Sequence, residues 1–179
     1  MNWYKRILTS ENKSDIFPNM KKEMIITRGC PASGKSFLAN QLAGETGEVF
    51  SADDYHINPQ TKKYDWKPEN VKAAHQWNHK RVSDAINKGI SPIVIDNTHI
   101  KRWELLALKP LVEHAQQNGY NVRIEEPNPN WYHWETAFNP EELYERNKGT
   151  HNVPLESIRK MVENYEPNIT IKDILKEDV

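Results

Sequence analysis

The sequence lacks the marks of a disulfide-stabilised or membrane-spanning protein. Cys30 is its only cysteine, so no internal disulfide can form, and this favours a reducing compartment. No apolar run approaches the ~18 residues that a membrane span requires, and the first residues lack the apolar core of a signal peptide. We therefore expect a cytoplasmic protein that does not enter a membrane.

An excess of positive charge is also missing. Lys and Arg number 24 and Asp and Glu number 25 among the 179 residues. Proteins that hold long stretches of nucleic acid non-specifically usually carry a basic excess. Any contact with nucleic acid is therefore expected to be local, at a strand end. The length suits one domain, by a rough prior of ~150 residues per domain.

Short apolar runs alternate with longer amphipathic segments. Residues 24–27, 48–51, 90–95 and 122–125 predict strands. Helices are predicted up to Gly44 after the first strand, over 68–88, from about 101 to 118 with a kink at Pro110, and over 140–148 and 154–165. This alternation predicts a parallel sheet of four or five strands between helices. Residues 1–21 are polar and aperiodic, so we predict an N-terminal extension before a domain of residues 22–179.

A phosphate-binding motif, GxxxxGK[ST], lies between the first predicted strand and helix. Its backbone N–H groups and the helix N-terminus favour bound phosphates. Lys35 is expected to reach the β- and γ-phosphates of ATP, and the Ser36 hydroxyl to ligate Mg²⁺. The predicted fold is thus a three-layer P-loop NTPase sandwich with a helical lid over the nucleotide. The residues predicted to bind the nucleotide here are Gly29, Ala32, Ser33, Gly34, Lys35 and Ser36.

Carboxylates follow two other predicted strands. Asp53 and Asp54 come after the second strand and Asp96 ends the third. Ligands of parallel sheets lie at the carboxyl ends of strands, so these acids should face the phosphate loop. One can accept a proton from an attacking hydroxyl, and another can hold Mg²⁺ directly or through a water. The alternatives are that Asp53 caps a turn and that Asp96 caps the helix beginning near Lys101.

Several longer strings resemble a known family. They include RGCPASGKS, FSADDYH, IDNTHIKRWE, LYERN and VPLESIRKMVENYE, which lie within residues 24–175. Together they resemble the polynucleotide 5′-hydroxyl kinase branch of the P-loop kinases, and within it the kinase-like domains of the Nedd-four-binding protein two type. No guanine-reading NKxD motif is present, since residues 147–150 lack the Asp, so a GTPase is not expected.

The resemblance implies roles for individual residues. Asp53 matches a catalytic Asp that activates the 5′-hydroxyl, and Arg146 matches a lid arginine that reaches the transferring phosphates. We expect Arg146 to swing onto the phosphates when ATP binds, with Gly149 as the hinge. Thr98 matches a position that lines the acceptor site. The residues assigned to acceptor binding are Asp54, His56, Asp96, Asn97 and Thr98, and Asp96 could also hold Mg²⁺ through a water.

Two positions depart from the family pattern. His56 stands where the phage-type enzymes have an Arg that holds the acceptor's 3′-phosphate, and the loop 148–152 lacks a second lid Arg. The expected activity is transfer of the γ-phosphate of ATP to a hydroxyl, with the 5′-hydroxyl of an RNA or DNA end as the leading acceptor. A kinase of a nucleoside, sugar or antibiotic is the alternative, and an ATP-binding module without phosphotransfer is a further one.

Other features carry less weight. His75 and His79 have zinc-ligand spacing, but no third ligand is evident. Trp131, Tyr132 and Trp134 could stack an unpaired base or pack a lid. We expect Trp77 and Trp103 to pack within their helices.

Overall fold

Four short strands form one parallel sheet in the computed structural model, which describes residues 21–127 and 139–176. The order across the sheet is β2-β3-β1-β4, and all pairs are parallel. The strands are β1 (Lys22–Thr27), β2 (Glu48–Phe50), β3 (Ile93–Asp96) and β4 (Tyr120–Glu125). The predicted parallel α/β architecture is confirmed, with four strands in the described part of the chain.

The register brings the carboxyl ends of the strands to one level. Thr27 pairs with Asp96 on one side and with Glu125 on the other. Phe50 pairs with Ile95, so the chain leaves β2 next to the end of β3. Since β3 lies between β2 and β1, the loops that follow these three strands emerge side by side.

Helices cover both faces of the sheet. Their bounds are α1 (Lys35–Ala43), α2 (Val71–Lys88), α3 (Arg102–Leu106), α4 (Lys109–Gln117), α5 (Pro140–Asn147), α6 (Leu155–Glu163) and α7 (Ile171–Leu175). Two 3₁₀ helices, Ala52–His56 and Pro68–Asn70, follow β2 and precede α2. In the described ranges, no helix has the length and apolar character that crossing a membrane requires.

The period-two alternation of the strands sends successive side chains into different layers. Ile25 and Val94 pack under α1, against Ala39 and Ala43. The neighbouring strand residues face the opposite way into the larger core, which α2, α3, α4 and α7 cover. Its strand members are Met24, Ile26, Phe50, Ile93, Ile95, Tyr120 and Val122.

A third apolar cluster packs helices α5 and α6 against the phosphate loop. Cys30, Ile100, Leu143 and Ile158 are buried together, with Tyr144, Val153 and Met161 packed around them. The helices α5 and α6 therefore rest on the loop that follows β1 and the loop that follows β3. We call α5, α6 and the segment between them the lid.

The structure departs from the sequence prediction at several elements. The helix expected over 101–118 is two helices, and Pro110 lies in the first turn of α4 rather than at a kink. Proline has no N–H and its ring clashes with the carbonyl four residues earlier, so it kinks or breaks a helix interior but is tolerated in a first turn. β3 begins three residues later than expected, after Pro92. The 3₁₀ helix at 52–56 and helix α7 were not predicted. Residues 1–20 and the Trp131, Tyr132 and Trp134 cluster lie outside the described residues.

Candidate active site

The loop from Gly29 to Ser36 turns back on itself before α1. Gly34 is the N-cap of α1, with φ of 98°. A Cβ on Gly29 would approach the Ser33 hydroxyl oxygen to 2.8 Å, so this position has no room for a side chain. Ala32 also has a positive φ, 60°. This left-handed backbone conformation favours glycine over residues with a side chain.

Lys35 points back into the loop. Its Nζ donates a hydrogen bond of 2.9 Å to the carbonyl oxygen of Cys30, and the side chain is buried. Burial lowers the pKa of the Lys35 ammonium, while the charges of Asp96 and Asp53 oppose that effect. The ammonium therefore lies within electrostatic range of both predicted carboxylates.

Oxygen and N–H donors around the loop fit a nucleotide with Mg²⁺. The Ser33 hydroxyl is buried without a hydrogen-bond partner among the described residues, so it can donate to a phosphate. Ser36 is exposed at the start of α1. Mg²⁺ is usually held by one or two protein oxygens together with phosphates and waters. The described residues contain no cluster of three acidic, histidine or cysteine side chains that could hold a metal ion. Binding of Mg²⁺ together with phosphates and waters does not require such a cluster.

Asp96 lies at the end of β3, directly beside β1. Its Oδ1 accepts a hydrogen bond of 3.2 Å from the Thr27 hydroxyl, and the residue is 7% exposed. Helix α3 begins at Arg102, and its capping residues are Lys101 and Glu104. Asp96 therefore does not cap that helix, which removes the alternative interpretation for this carboxylate.

Asn97 and Thr98 brace the loops around the site. The Asn97 side-chain oxygen accepts a hydrogen bond of 3.0 Å from the backbone N–H of Ala52, which ties the end of β3 to the turn after β2. The Thr98 carbonyl accepts the N–H of Gly29 at 2.9 Å. Two residues that we assigned to acceptor binding thus hold neighbouring loops together through these contacts. The contact of Thr98 is made by its backbone carbonyl and does not involve its hydroxyl.

Asp53 is exposed on the first turn of the 3₁₀ helix after β2. The Ser51 hydroxyl caps that turn by accepting the Asp53 N–H at 3.2 Å, so the Asp53 carboxylate is not the cap. Its Oδ1 accepts a hydrogen bond of 3.1 Å from the Tyr64 hydroxyl. Burial and the Asp53 carboxylate raise the pKa of Tyr64 well above its usual range, so Tyr64 keeps its proton and remains a donor.

The next two predicted residues are held by other partners. Asp54 forms an ion pair of 3.0 Å with Arg81 of α2. His56 is buried, with its ring against the rings of Tyr64 and Trp66. His56 therefore lies away from the cleft, where the family pattern has an arginine that contacts the acceptor.

One open cleft of about 320 Å³ joins the phosphate loop to the turn after β2. Four of our predicted site residues line it: Ser36, Asp53, Asp54 and Asp96. Its remaining lining residues are Asn40, Val49, Ser51, Ile57, Tyr64 and His151. Arg146 and His56 are not among them.

Arg146 lies on α5, and its guanidinium pairs with Glu142 one turn earlier. Leu143, three residues before Arg146 on the same helix, is fully buried in the cluster that contains Cys30 of the phosphate loop. The segment after α5 is organised by Asn147, whose side-chain oxygen accepts the N–H of Val153 at 2.6 Å. The lid is thus packed more firmly than its polar sequence suggests.

A fully buried arginine, Arg28, connects the loops behind the site. Its Nε donates to the carbonyl of His99 at 3.2 Å and its Nη2 to those of Ile100 and Glu166 at 3.2 and 2.7 Å. Nη1 pairs with the Glu126 carboxylate at 3.0 Å. The guanidinium carbon also lies 4.6 Å from the centre of the Tyr165 ring.

Sequence reasoning missed Arg28, Tyr64, Asn147 and His151. The position of Arg28 could have indicated its role, because a charged residue is unexpected at the end of a buried strand, directly before the motif. Tyr64 carried no local signal, because its partner is eleven residues away in a polar segment. The other candidates contribute no site here. His75 and His79 lie with ring centres 6.3 Å apart, and Trp103 is exposed rather than packed.

Comparisons with known proteins found similar sequences and folds. A family model described as an AAA domain matches residues 24–168. Human NEDD4-binding protein 2 is 38% identical over 159 residues, which cover 87% of this chain and 8% of that protein's length. A solved gluconokinase structure from Sinorhizobium meliloti 1021 is 14% identical, covers 83% of this chain and 77% of its own, and has a TM-score of 0.46.

The contacts of Arg28 predict a large cost for a conservative change. Arg28→Lys keeps the charge but offers one donor atom instead of a planar fork, leaving buried carbonyl groups unpaired. We expect the free energy of unfolding to fall by about 3 kcal/mol, measured by urea denaturation. The control is Arg102→Lys, an exposed arginine with one side-chain hydrogen bond to a carbonyl, which should change stability by about 0.5 kcal/mol or less. Equal midpoints for the two variants would contradict this account.

Proposed function

The chain belongs to the AAA domain family, as a P-loop kinase-like domain, and from this premise we propose that it transfers the γ-phosphate of ATP to a hydroxyl, with the 5′-hydroxyl of an RNA or DNA end as the leading acceptor. The observation that carries the proposal is the shared cleft. Ser36, Asp53 and Asp96 line one space, although they follow three different strands. The chain corresponds to a small part of its human relative, so that protein's own activity and partners are not transferred to it.

The phosphate loop would hold the nucleotide. Backbone N–H groups of the loop and the N-terminus of α1 attract phosphate oxygens. The Lys35 ammonium donates a hydrogen bond to the Cys30 carbonyl in this structure and would turn to the β- and γ-phosphates when they are present. Ser36 and Asp96 would hold Mg²⁺, which when bound neutralises charge on the phosphates.

Asp53 is the proposed general base. The acceptor oxygen forms a bond to the γ-phosphorus while the bond from that phosphorus to the bridging oxygen breaks, and ADP leaves. The hydroxyl proton passes to the Asp53 carboxylate. Exposure of Asp53 on the cleft supports this role, since an incoming hydroxyl can reach it. The hydrogen bond from Tyr64 holds one carboxylate oxygen, leaving the other for the acceptor.

Arg146 is the proposed lid arginine. Its planar fork can contact two phosphate oxygens at once, where lysine offers a point charge. Leu143, on the same side of α5, packs in the cluster with Cys30 of the phosphate loop, and this supports placing Arg146 close to the phosphates. Reaching them requires Arg146 to leave Glu142, its partner in the ion pair.

A small-molecule kinase is the second candidate. Burial of His56 favours it, because the side chain at the position that would hold an acceptor's 3′-phosphate in the family pattern is buried away from the cleft. An open cleft of about 320 Å³ also suits a compact hydroxyl compound. A screen with radiolabelled ATP over 5′-hydroxyl RNA, 5′-hydroxyl DNA, nucleosides and sugars separates the candidates by which acceptor takes the label. Binding of ATP without transfer to any acceptor or to water would favour a binding module instead.

The first prediction concerns nucleotide binding. Wild-type protein should melt at a higher temperature in millimolar Mg-ATP, because ligand binding to the folded state stabilises it by mass action. Lys35→Ala should remove most of that rise and abolish turnover while the protein stays folded. Lys88→Ala, at an exposed helix end, is the control and should keep both. Absence of any rise in the wild type would contradict the proposed function.

The second prediction concerns the base. Asp53→Asn keeps the shape of the side chain and removes the proton acceptor, so kcat should fall by about 10²–10⁴-fold. The KM for ATP should change little, since Asp53 is assigned to the acceptor. Asp84→Asn, which alters only a surface pair with Lys80, should behave as wild type. Retention of most turnover by Asp53→Asn would direct attention to Asp54 or Asp96.

The third prediction concerns Tyr64. Tyr64→Phe removes one hydroxyl and its hydrogen bond to Asp53, so kcat should fall by about tenfold or more, the equivalent of ~1.4 kcal/mol. The KM for ATP should stay close to wild type. The matched control is Tyr120→Phe, which loses a hydrogen bond of 2.6 Å to the Ile90 carbonyl and should lose stability without losing kcat. Unchanged kcat in Tyr64→Phe would remove Tyr64 from the site.

The fourth prediction concerns the lid. Arg146→Lys keeps the positive charge but loses the second phosphate contact, so kcat should fall by an order of magnitude or more, ~1.4 kcal/mol per tenfold. A surface ion pair alone would hardly respond to this change. Arg159→Lys alters a lid arginine paired with Glu141 and serves as the control. Equal turnover of Arg146→Lys and wild type at saturating substrates would exclude Arg146 from the site.

A further inference from the structure

A continuous row of aromatic rings runs beside the cleft. We call it the aromatic belt, and its members are Trp77, Tyr55, His56, Tyr64, Trp66 and His151. The Tyr55 ring centre lies 5.7 Å from those of Trp77 and His56, and His56 lies 5.9 Å from Tyr64 and 6.4 Å from Trp66. Tyr64 in turn lies 5.0 Å from His151 of the lid. The belt therefore extends from α2 to the lid.

Three members of the belt expose large ring surfaces. Trp66 is 50% exposed, Tyr55 41% and Trp77 38%. In the described part of the chain six large apolar side chains are exposed, and four of them lie in the belt or next to it: Tyr55, Ile57, Trp66 and Trp77. Such clustering on one side of a protein marks a binding surface, whereas scattered exposed residues do not.

Backbone contacts hold the belt where it meets the cleft. Ile57 and Tyr64 pair as an antiparallel bridge, and the N–H of Asp65 donates to the His56 carbonyl at 2.8 Å. These contacts fold residues 56–65 into a hairpin that carries Tyr64 to Asp53. The ring of buried His56 contacts those of Tyr55 and Trp66. Rings already in contact with neighbours lose less conformational freedom when a ligand stacks on them.

We propose that the aromatic belt binds the unpaired bases that follow the 5′ end of a single-stranded nucleic acid acceptor. The inference rests on the proposed function and names the part of the chain that selects the acceptor. Tyr64 belongs to the belt and donates a hydrogen bond to Asp53, so an acceptor whose 5′-hydroxyl reaches Asp53 has the belt beside it. Stacking on aromatic rings is tolerant of sequence because every base has a flat face.

The charge of the protein agrees with this mode of binding. A net charge of −1 does not support a long electrostatic contact with phosphates. Two exposed lysines, Lys62 and Lys63, lie in the same hairpin as Tyr64 and can meet nearby phosphates. The contact is therefore short, limited to a few nucleotides, and depends on bases more than on the backbone.

The test compares an intact acceptor with one that lacks bases. The probes are a 5′-hydroxyl deoxyadenylate hexamer and the same hexamer with abasic second and third positions, both labelled at the 3′ end. Fluorescence anisotropy without ATP gives their affinities for the full chain. Wild-type protein should bind the intact hexamer more tightly than the abasic one, by roughly 5- to 150-fold for each base that stacks.

Variants locate the effect on the belt. Trp66→Ala should lose about fivefold or more of that preference because one ring is gone, and Trp66→Phe should retain most of it because it keeps a ring. Trp103→Ala removes an equally large exposed tryptophan outside the belt, on α3, and should behave as wild type. Melting curves verify that each variant is folded. Equal binding of both hexamers by wild type, or a full preference in Trp66→Ala, would overturn the proposal.

Separate measurements test the proposed function and the proposed role of the belt, so either proposal can be refuted without the other. Label transfer from ATP measures the former, and binding without ATP measures the latter. Transfer to a nucleoside or sugar but not to the hexamer, with the base-dependent preference intact, would refute the 5′-end acceptor and keep the belt. Transfer to the hexamer with no base-dependent binding would do the reverse.

Discussion

The guanidinium of Arg28 constrains the arrangement of the loops behind the phosphate-binding motif. A buried charge is costly unless it is paired and hydrogen-bonded. Arg28 meets that requirement through one carboxylate and three backbone carbonyls, which belong to the loops after β3 and β4 and to the segment after α6. These segments are distant in sequence, so the arginine is satisfied only when all of them are in place. The phosphate loop begins at the next residue, so the contacts of Arg28 fix the position at which the loop starts.

The strand register then gives the two proposed catalytic carboxylates different surroundings. Asp96 is almost buried between β2 and β1, where Thr27 holds it within range of Lys35. Asp53 lies one strand further out, exposed on the cleft, with Tyr64 as its donor. A nearly buried carboxylate suits a fixed charge beside a cation, and an exposed one suits proton transfer from an entering hydroxyl. The difference follows from the strand order, since β3 is central and β2 is at the edge of the described sheet.

The parts of the molecule predictable from sequence are those with local signals. The phosphate loop, the strands around it and the helix ends at Gly44 and Gly89 depend on residue types within a few positions. The residues that hold the site in place depend instead on contacts between segments that are distant in sequence. Arg28 bonds to Glu166, 138 residues away, and Tyr64 emerges from a segment that composition alone makes a polar loop. Pro110 signalled a helix interruption, but burial of both Leu105 and Leu108 decides that two helices pack there instead of one kinked helix.

The lid connects the two sides of the cleft. Cys30 contributes its carbonyl to Lys35 and its side chain to the cluster that anchors α5 and α6. Burial raises the pKa of the Cys30 thiol to about 11, so the thiol stays neutral and serves packing. At the other end of the lid, His151 rests on the ring of Tyr64, whose hydroxyl holds Asp53. Asn147 ties the residues between these two contacts into one unit. If Arg146 moves to the phosphates as proposed, the lid would have to change its packing at Cys30 and its contact at Tyr64, and the proposed nucleotide and acceptor sides of the cleft would then respond together.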